Sequence, residues 1–149
     1  MIIKTKYHGE KEINPEHIIT FEQGIPSFED EKKYIVLELG EDSTLFVLQS
    51  VTTPELAFLV ADPFSFFPTY QFALPDSVIE ALKIGNKEDI ATFGILTVKE
   101  PFEQTTINLQ GPIIINSKEK RGKQIVVSEG NYHTKHPLFQ QKSSIGEER

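Results

Sequence analysis

The chain has 149 residues, about the size of one domain, with 38 % hydrophobic and 25 % charged residues, which argues against fibrous and wholly disordered classes. Its 15 Lys and Arg face 22 Asp and Glu, a net charge of −7 that is the wrong sign for a general nucleic-acid surface. There is no Cys, so disulfide scaffolds, thiolate metal sites, CxxC redox chemistry and Cys nucleophiles are all excluded.

The N-terminal stretch MIIKTKYHGEKE is too short an apolar run, and too soon charged, for a signal peptide, and no run of about 18 apolar residues follows. A cytoplasmic protein is expected. The apolar segments are short, rich in Ile, Val, Phe and Thr, and punctuated by Gly or Pro about every ten residues, which is the pattern of strands. In chain order the expected strands are 2–7, 18–21, 33–39, 46–50, 57–61, 69–72, 90–98, 105–109, 113–116 and 123–127. The single helical segment is 75–83, where Ser77 and Glu80 have capping-box spacing and Val78, Ala81 and Leu82 form an apolar stripe. Strands without helices between them cannot make parallel crossovers. The expected fold is therefore all-β, a mainly antiparallel small β-barrel-like domain with one short α-helix, over residues 1–130. Apolar density falls after Val127, so residues 131–149 are expected to form a flexible C-terminal tail.

Charge is unevenly placed. Residues 1–116 hold 8 Lys and Arg against 18 Asp and Glu, a net of −10, whereas residues 117–149 carry a net of +3. An acidic body favours encounter with a basic protein and repels nucleic acid and anionic lipid; ordinary solubility would explain it equally. The basic run Lys118, Lys120, Arg121 and Lys123 around Gly122 lies between two strands and reads as a solvated hairpin turn rather than a phosphate site.

Few residues point to chemistry. His133 and His136 have ligand-like spacing but fall in the expected tail, so no metal site is assigned. Neither a GxSxG elbow nor a Gly-rich phosphate loop is present. Asp62 and Asp76 could converge in space, which leaves an acidic-site hydrolase as the alternative function, but Asp62 before Pro63 reads first as a turn in which the carboxylate caps local backbone. Neither catalytic residues nor a cofactor are assigned. The most unusual stretch is DPFSFFPTYQF, with Phe64, Phe66, Phe67, Tyr70 and Phe72 between and beyond two prolines. Each ring can fill the core, or a proline-stiffened loop can present it to a partner at little entropic cost.

The succession Phe21-Glu22-Gln23-Gly24-Ile25-Pro26-Ser27-Phe28-Glu29, then Leu48-Gln49-Ser50, Ala57-Phe58, Asp62-Pro63, Thr106 to Ile113 (TINLQGPI), Asn116 and Gln124 resembles the FliW family of flagellar assembly factors. Ser27 stands where that family often has a second Gly, and Gly111 where it often has Ala. The resemblance implies a compact β-barrel-like, non-enzymatic regulator that binds flagellin. When free, such a factor binds the translational repressor CsrA away from its RNA groove and antagonises it allosterically, so that flagellin messenger RNA is translated. On that reading, direct nucleic-acid or membrane binding is not expected. Glu29, Asp30, Glu41 and Asp42 would steer CsrA, and Phe64, Phe66, Phe67 and Tyr70 would supply apolar anchoring.

Overall fold

A computed structural model describes residues 1–40 and 44–139. The strands are β1 (Ile2–Lys4), β2 (Glu10–Glu12), β3 (Ile19–Thr20), β4 (Lys33–Glu38), β5 (Leu45–Ser50), β6 (Ala57–Ala61), β7 (Ile90–Thr97), β8 (Thr106–Ile107), β9 (Ile113–Asn116), β10 (Arg121–Gln124) and β11 (His136–Pro137). Two short helices, α1 (Pro63–Phe66) and α2 (Asp76–Ala81), complete the regular elements together with three 3₁₀ turns.

Strands β3 to β7 pair in succession, β7 pairs with β9, β9 with β10, and β10 returns to β3. Seven strands thus close on themselves, which removes most of the unpaired edge that an open sheet exposes. Every pairing in this ring is antiparallel except the last, a single parallel bridge between Arg121 and Thr20. The β8–β11 pair extends the sheet beside the C-terminal half of β7.

The alternation of the sequence explains how the barrel is filled and covered. Tyr34, Leu48, Val60, Ile113 and Ile115 point inward and are buried with Ile19, Phe21 and Ile25. Their outward neighbours Ile35, Leu37 and Val47 are buried against Ile3 and Ile13 of the β1–β2 hairpin. Ile114 turns outward onto Val78 of α2 and Leu82 at its C-terminal cap. Full burial of each such aliphatic side chain is worth roughly 1.5–3 kcal/mol, and in a chain with no disulfide these layers carry the stability.

Two buried amides hold the covers in place. Gln49, with no exposed surface, accepts from the Lys6 N–H at 3.0 Å and donates to Ser50 O and Pro54 O, joining the first hairpin to the β5–β6 turn. Asn116 donates to Leu82 O at 2.8 Å and Lys83 O at 3.1 Å, and accepts from the N–H groups of Lys118 and Glu119, fixing the end of α2 to the basic hairpin. The residues 116–121 do form that hairpin turn, with Lys120 at φ 58.

Several expected elements shift. Residues 69–72 form no strand, because Pro63 starts α1 and the chain then turns through a Tyr70 N–H to Phe67 O bond of 2.9 Å. The described residues therefore hold two short helices rather than one. The cap of α2 is Pro75 without a side-chain hydrogen bond, so Ser77 does not act as a cap. Strand β2 has no apolar alternation, since all three of its residues are exposed. Part of the expected tail, residues 131–139, is packed on the barrel, while residues 140–149 lie outside the described residues. Leu138 is buried and its N–H donates to Thr105 O at 2.9 Å, while Leu109 N–H donates to His133 O at 3.1 Å. Residues 131–139 are a strap on the barrel, its few apolar residues too widely spaced to register as a strand pattern.

The end of the barrel at the start of β4 is plugged by residues 21–31. Phe21 and Ile25 enter the core, and successive tight turns close through Gly24 N–H to Phe21 O, Phe28 N–H to Ile25 O and Glu31 N–H to Phe28 O. Gly24 has φ 67, and a Cβ there would lie 2.6 Å from the Glu29 backbone. Ser27 adopts φ 77, a left-handed conformation that costs a non-glycine residue about 1–2 kcal/mol. Ser27→Gly is expected to stabilise the fold by about 1 kcal/mol and to raise the thermal midpoint by about 3 °C, measured by calorimetry.

Candidate protein-docking surfaces

Two of the exposed aromatic residues, Phe28 and Phe64, stand at opposite ends of the barrel. At the plugged end Phe28 is 40 % exposed, and its ring meets Phe58 of β6 edge-on with centroids 5.7 Å apart. Beneath it Phe58 continues to Tyr34 and Tyr34 to Phe21, so the outermost ring stands on a stack of rings that reaches the core. Glu29 and Asp30 follow Phe28 and are exposed, as is Glu55 on the facing β5–β6 turn.

Glu31 locks the plug to that turn. Its carboxylate accepts from Ser50 Oγ at 2.7 Å, Thr53 Oγ1 at 2.8 Å and Thr52 Oγ1 at 3.2 Å. The Ser50 hydroxyl foremost, then that of Thr53, holds the carboxyl below its ordinary value of 4.5, against the opposing effect of burial. Burial pushes the Tyr34 phenol up to about 12, with the nearby Glu31 charge adding to the rise.

At the other end, Asp62 Oδ1 accepts from Phe64 N–H at 2.9 Å and so caps α1, with Pro63 at the first helical position. This cap is what the Asp-Pro pair predicts, and it commits the carboxylate to backbone. Asp76 lies exposed in the first turn of α2. Among the described residues no group of three His, Asp or Glu is placed to hold a metal ion. His133 and His136 stack with ring centroids 3.7 Å apart, and the His133 backbone N–H donates to His136 Nε2. Burial, and then His133, lowers the His136 pKa.

The aromatic stretch divides between the two roles open to it. Phe64 is 43 % exposed. Phe66 and Phe67 are half-buried, Phe66 against Phe139 and Phe67 against the His136 ring. Tyr70 is core: it is 3 % exposed, its hydroxyl donates to Leu109 O at 2.7 Å, and burial, then Tyr132, raises its pKa. The expectation that Tyr70 faces a partner is therefore corrected. Its polar tip fits the interior because a backbone carbonyl is there to receive it.

Glu29 and Asp30 are not gathered with Phe64. Phe28 sits on Phe58 near the start of β6, whereas Phe64 lies beyond its far end, and the three residues from Phe58 to Ala61 alone span about 10 Å. The ring that accompanies the acidic pair is Phe28, which sequence reading did not single out. Its signal was present in Pro26-Ser27-Phe28-Glu29, a large apolar residue in a turn flanked by charge. Glu41 and Asp42 lie outside the described residues.

The arrangement defines a class, a plugged seven-stranded β-barrel that carries separate exposed aromatic features at its two ends. A family model described as "FliW protein" matches residues 2–138. The chain is 50 % identical over 142 residues to the flagellar assembly factor FliW of Geobacillus kaustophilus, covering 95 % of this chain and 98 % of that one. It is 51 % identical over 138 residues to the flagellar assembly factor FliW of Bacillus subtilis, covering 93 % and 96 %. A crystal structure of the flagellar assembly factor FliW superposes with a TM-score of 0.89 at 47 % identity, covering 95 % of this chain and 99 % of the other. The chain belongs to the FliW family of flagellar assembly factors.

Two outcomes follow from the geometry. The Glu31 carboxyl is more acidic folded than unfolded, so its contribution is fully present above about pH 4.5 and is lost as pH falls through the lowered value. Glu31→Gln should flatten the decline of the thermal midpoint as pH falls below about 4.5. Tyr70→Phe should cost about 1–2 kcal/mol, because the Leu109 carbonyl loses its donor, whereas Phe64→Ala should change stability by less than about 1 kcal/mol, both measured by denaturant unfolding.

Proposed function

We propose that this chain acts in the cytoplasm as a protein-binding regulator of flagellar assembly, with flagellin and the RNA-binding repressor CsrA as its two clients. Bound to flagellin, it is occupied. Once flagellin has been exported, the free factor captures CsrA and antagonises it allosterically, so that flagellin messenger RNA is translated. No catalytic step is involved.

The observation that carries this reading is the exposed Phe28 ring, seated on the half-buried Phe58, with Glu29, Asp30 and Glu55 exposed on the same plug and facing turn. A protein that binds RNA presents basic surface, and such a surface is complementary to an aromatic platform bordered by carboxylates. Charge complementarity acts mainly on the association rate, and the rigid stacked ring on the lifetime of the complex. The net charge of −10 over residues 1–116 adds long-range attraction of the same sign. No helix among the described residues is long and apolar enough to cross a membrane.

The test is calorimetric titration with CsrA at two salt concentrations, repeated after saturation with flagellin. Binding that weakens with salt and disappears in the presence of flagellin supports partner switching; absence of binding to both clients overturns it. Replacing both carboxylates, Glu29→Lys with Asp30→Lys, should slow association with CsrA about tenfold at low salt. Stopped-flow measurement should show that difference shrinking once the Debye length falls to about 8 Å or less.

A further inference from the structure

We infer that the strand edge at Gln124–Val126 is a docking site for an extended, uncharged segment of flagellin, which adds there as a further strand. The inference rests on the reading above that flagellin is a client.

The edge exists because β3 is too short to cover its neighbour. The two meet only at Thr20 and Arg121, after which Phe21 turns into the plug. Beyond that point the chain continuing from β10 has backbone partners on one side only: Ile125 N–H donates to Pro112 O at 3.0 Å and Val127 N–H to Gln110 O at 2.7 Å. Val126 lies between them and, by the alternation of an extended chain, turns its N–H and C=O the other way. Neither group has a partner among the described residues, and the side chain is 76 % exposed. An unpaired donor and acceptor on an exposed strand edge specify their complement, the backbone of another extended segment.

A groove runs along this edge, lined by Pro26, Asn108, Gln110, Gln124, Val126 and Thr134 among others. Two of its amides are fixed by one half and free at the other. Asn108 Oδ1 accepts from the N–H groups of Gln110 and Gly111, leaving Nδ2 as an open donor. Gln124 Nε2 donates to Gly111 O at 2.8 Å, leaving Oε1 as an open acceptor. Held in orientation before a ligand arrives, such groups bind a peptide backbone with little loss of side-chain freedom. Val126 and Pro26 offer apolar contact to one side chain of the incoming strand.

Charge separates this groove from the Phe28 platform. No carboxylate lines it, and the preceding charged residue is Lys123, so a basic segment gains nothing there. The residues 24–29 nevertheless border both surfaces, with Pro26 facing the groove and Phe28 with Glu29 facing the other client. A strand seated against Pro26 and a basic protein seated on Phe28 thus contend for the position of one loop, which supplies a physical basis for exclusive binding.

The experiment is calorimetric titration of the full chain and two variants with monomeric flagellin and, separately, with CsrA. Val126→Pro deletes the edge N–H while sparing the bonds of Ile125 and Val127, and Val126→Lys places a charge on the edge without touching the core. Variants that keep the wild-type thermal transition should lose tenfold or more in flagellin affinity and bind CsrA unchanged. Wild-type flagellin affinity in a folded variant of either kind would overturn the edge assignment alone, and a concentration-dependent dimer abolished by Val126→Pro would reassign the edge to a second copy. If the unmodified chain binds no flagellin, the client reading falls and this site falls with it.

Discussion

The fold depends on the place where the ring of strands closes. Strand β10 meets β3 through one parallel bridge, with Thr20 N–H donating to Lys120 O at 2.9 Å. The closure is possible only because position 122 is glycine: a Cβ there would lie 2.5 Å from the Phe21 ring, which fills the barrel at that level. Ring and glycine are complementary halves of one contact. On that contact rest the direction in which Phe21 enters, the path of the plug behind it and the platform on which Phe28 stands. Arg121 reinforces the seam from outside through its ion pair with Glu22 at 2.9 Å, an exposed interaction of small energetic worth but correct register.

The antiparallel barrel was legible because strand residues alternate. Tyr34, Leu48 and Val60 face in, Ile35 and Val47 face out, and the period of two is visible without coordinates. What escaped reading was structure made by hydrogen bonds rather than burial. Strand β2 is Glu-Lys-Glu, and only its pairing with β1 makes it a strand. The strap at 131–139 is held by isolated anchors such as Leu138. Its helical neighbour α1 appeared as a proline-broken loop, although the same proline, preceded by Asp62, is a good helix start.

The site was legible in composition and not in arrangement. Acidic residues and aromatic residues were both visible as features, but the distance between them is set by β6, which sends Phe58 to one end of the barrel and Phe64 to the other. Tyr70 illustrates the limit of counting rings. Its neighbours in sequence are partly exposed, and only the carbonyl of Leu109, thirty-nine residues away, explains why this ring alone turns wholly inward. The backbone at Ser27, by contrast, has a plain local meaning, since its left-handed conformation is one that a glycine adopts without strain.

The order in which the chain leaves the ribosome gives the closing bridge a temporal meaning. Thr20 and Arg121 are separated by about a hundred residues, so β3 and the plug are made long before the strand that seals them. At translation rates of about 5–20 residues per second, the half-built sheet waits roughly 5–20 s with its inner apolar face unsealed. The β4–β5–β6 meander, with local antiparallel pairing, forms early and shelters part of that face. The barrel thus passes through an unfinished state of its own before it closes. What ends that state is the short basic hairpin of residues 116–121, which turns the chain from β9 into β10 and brings Arg121 to Thr20.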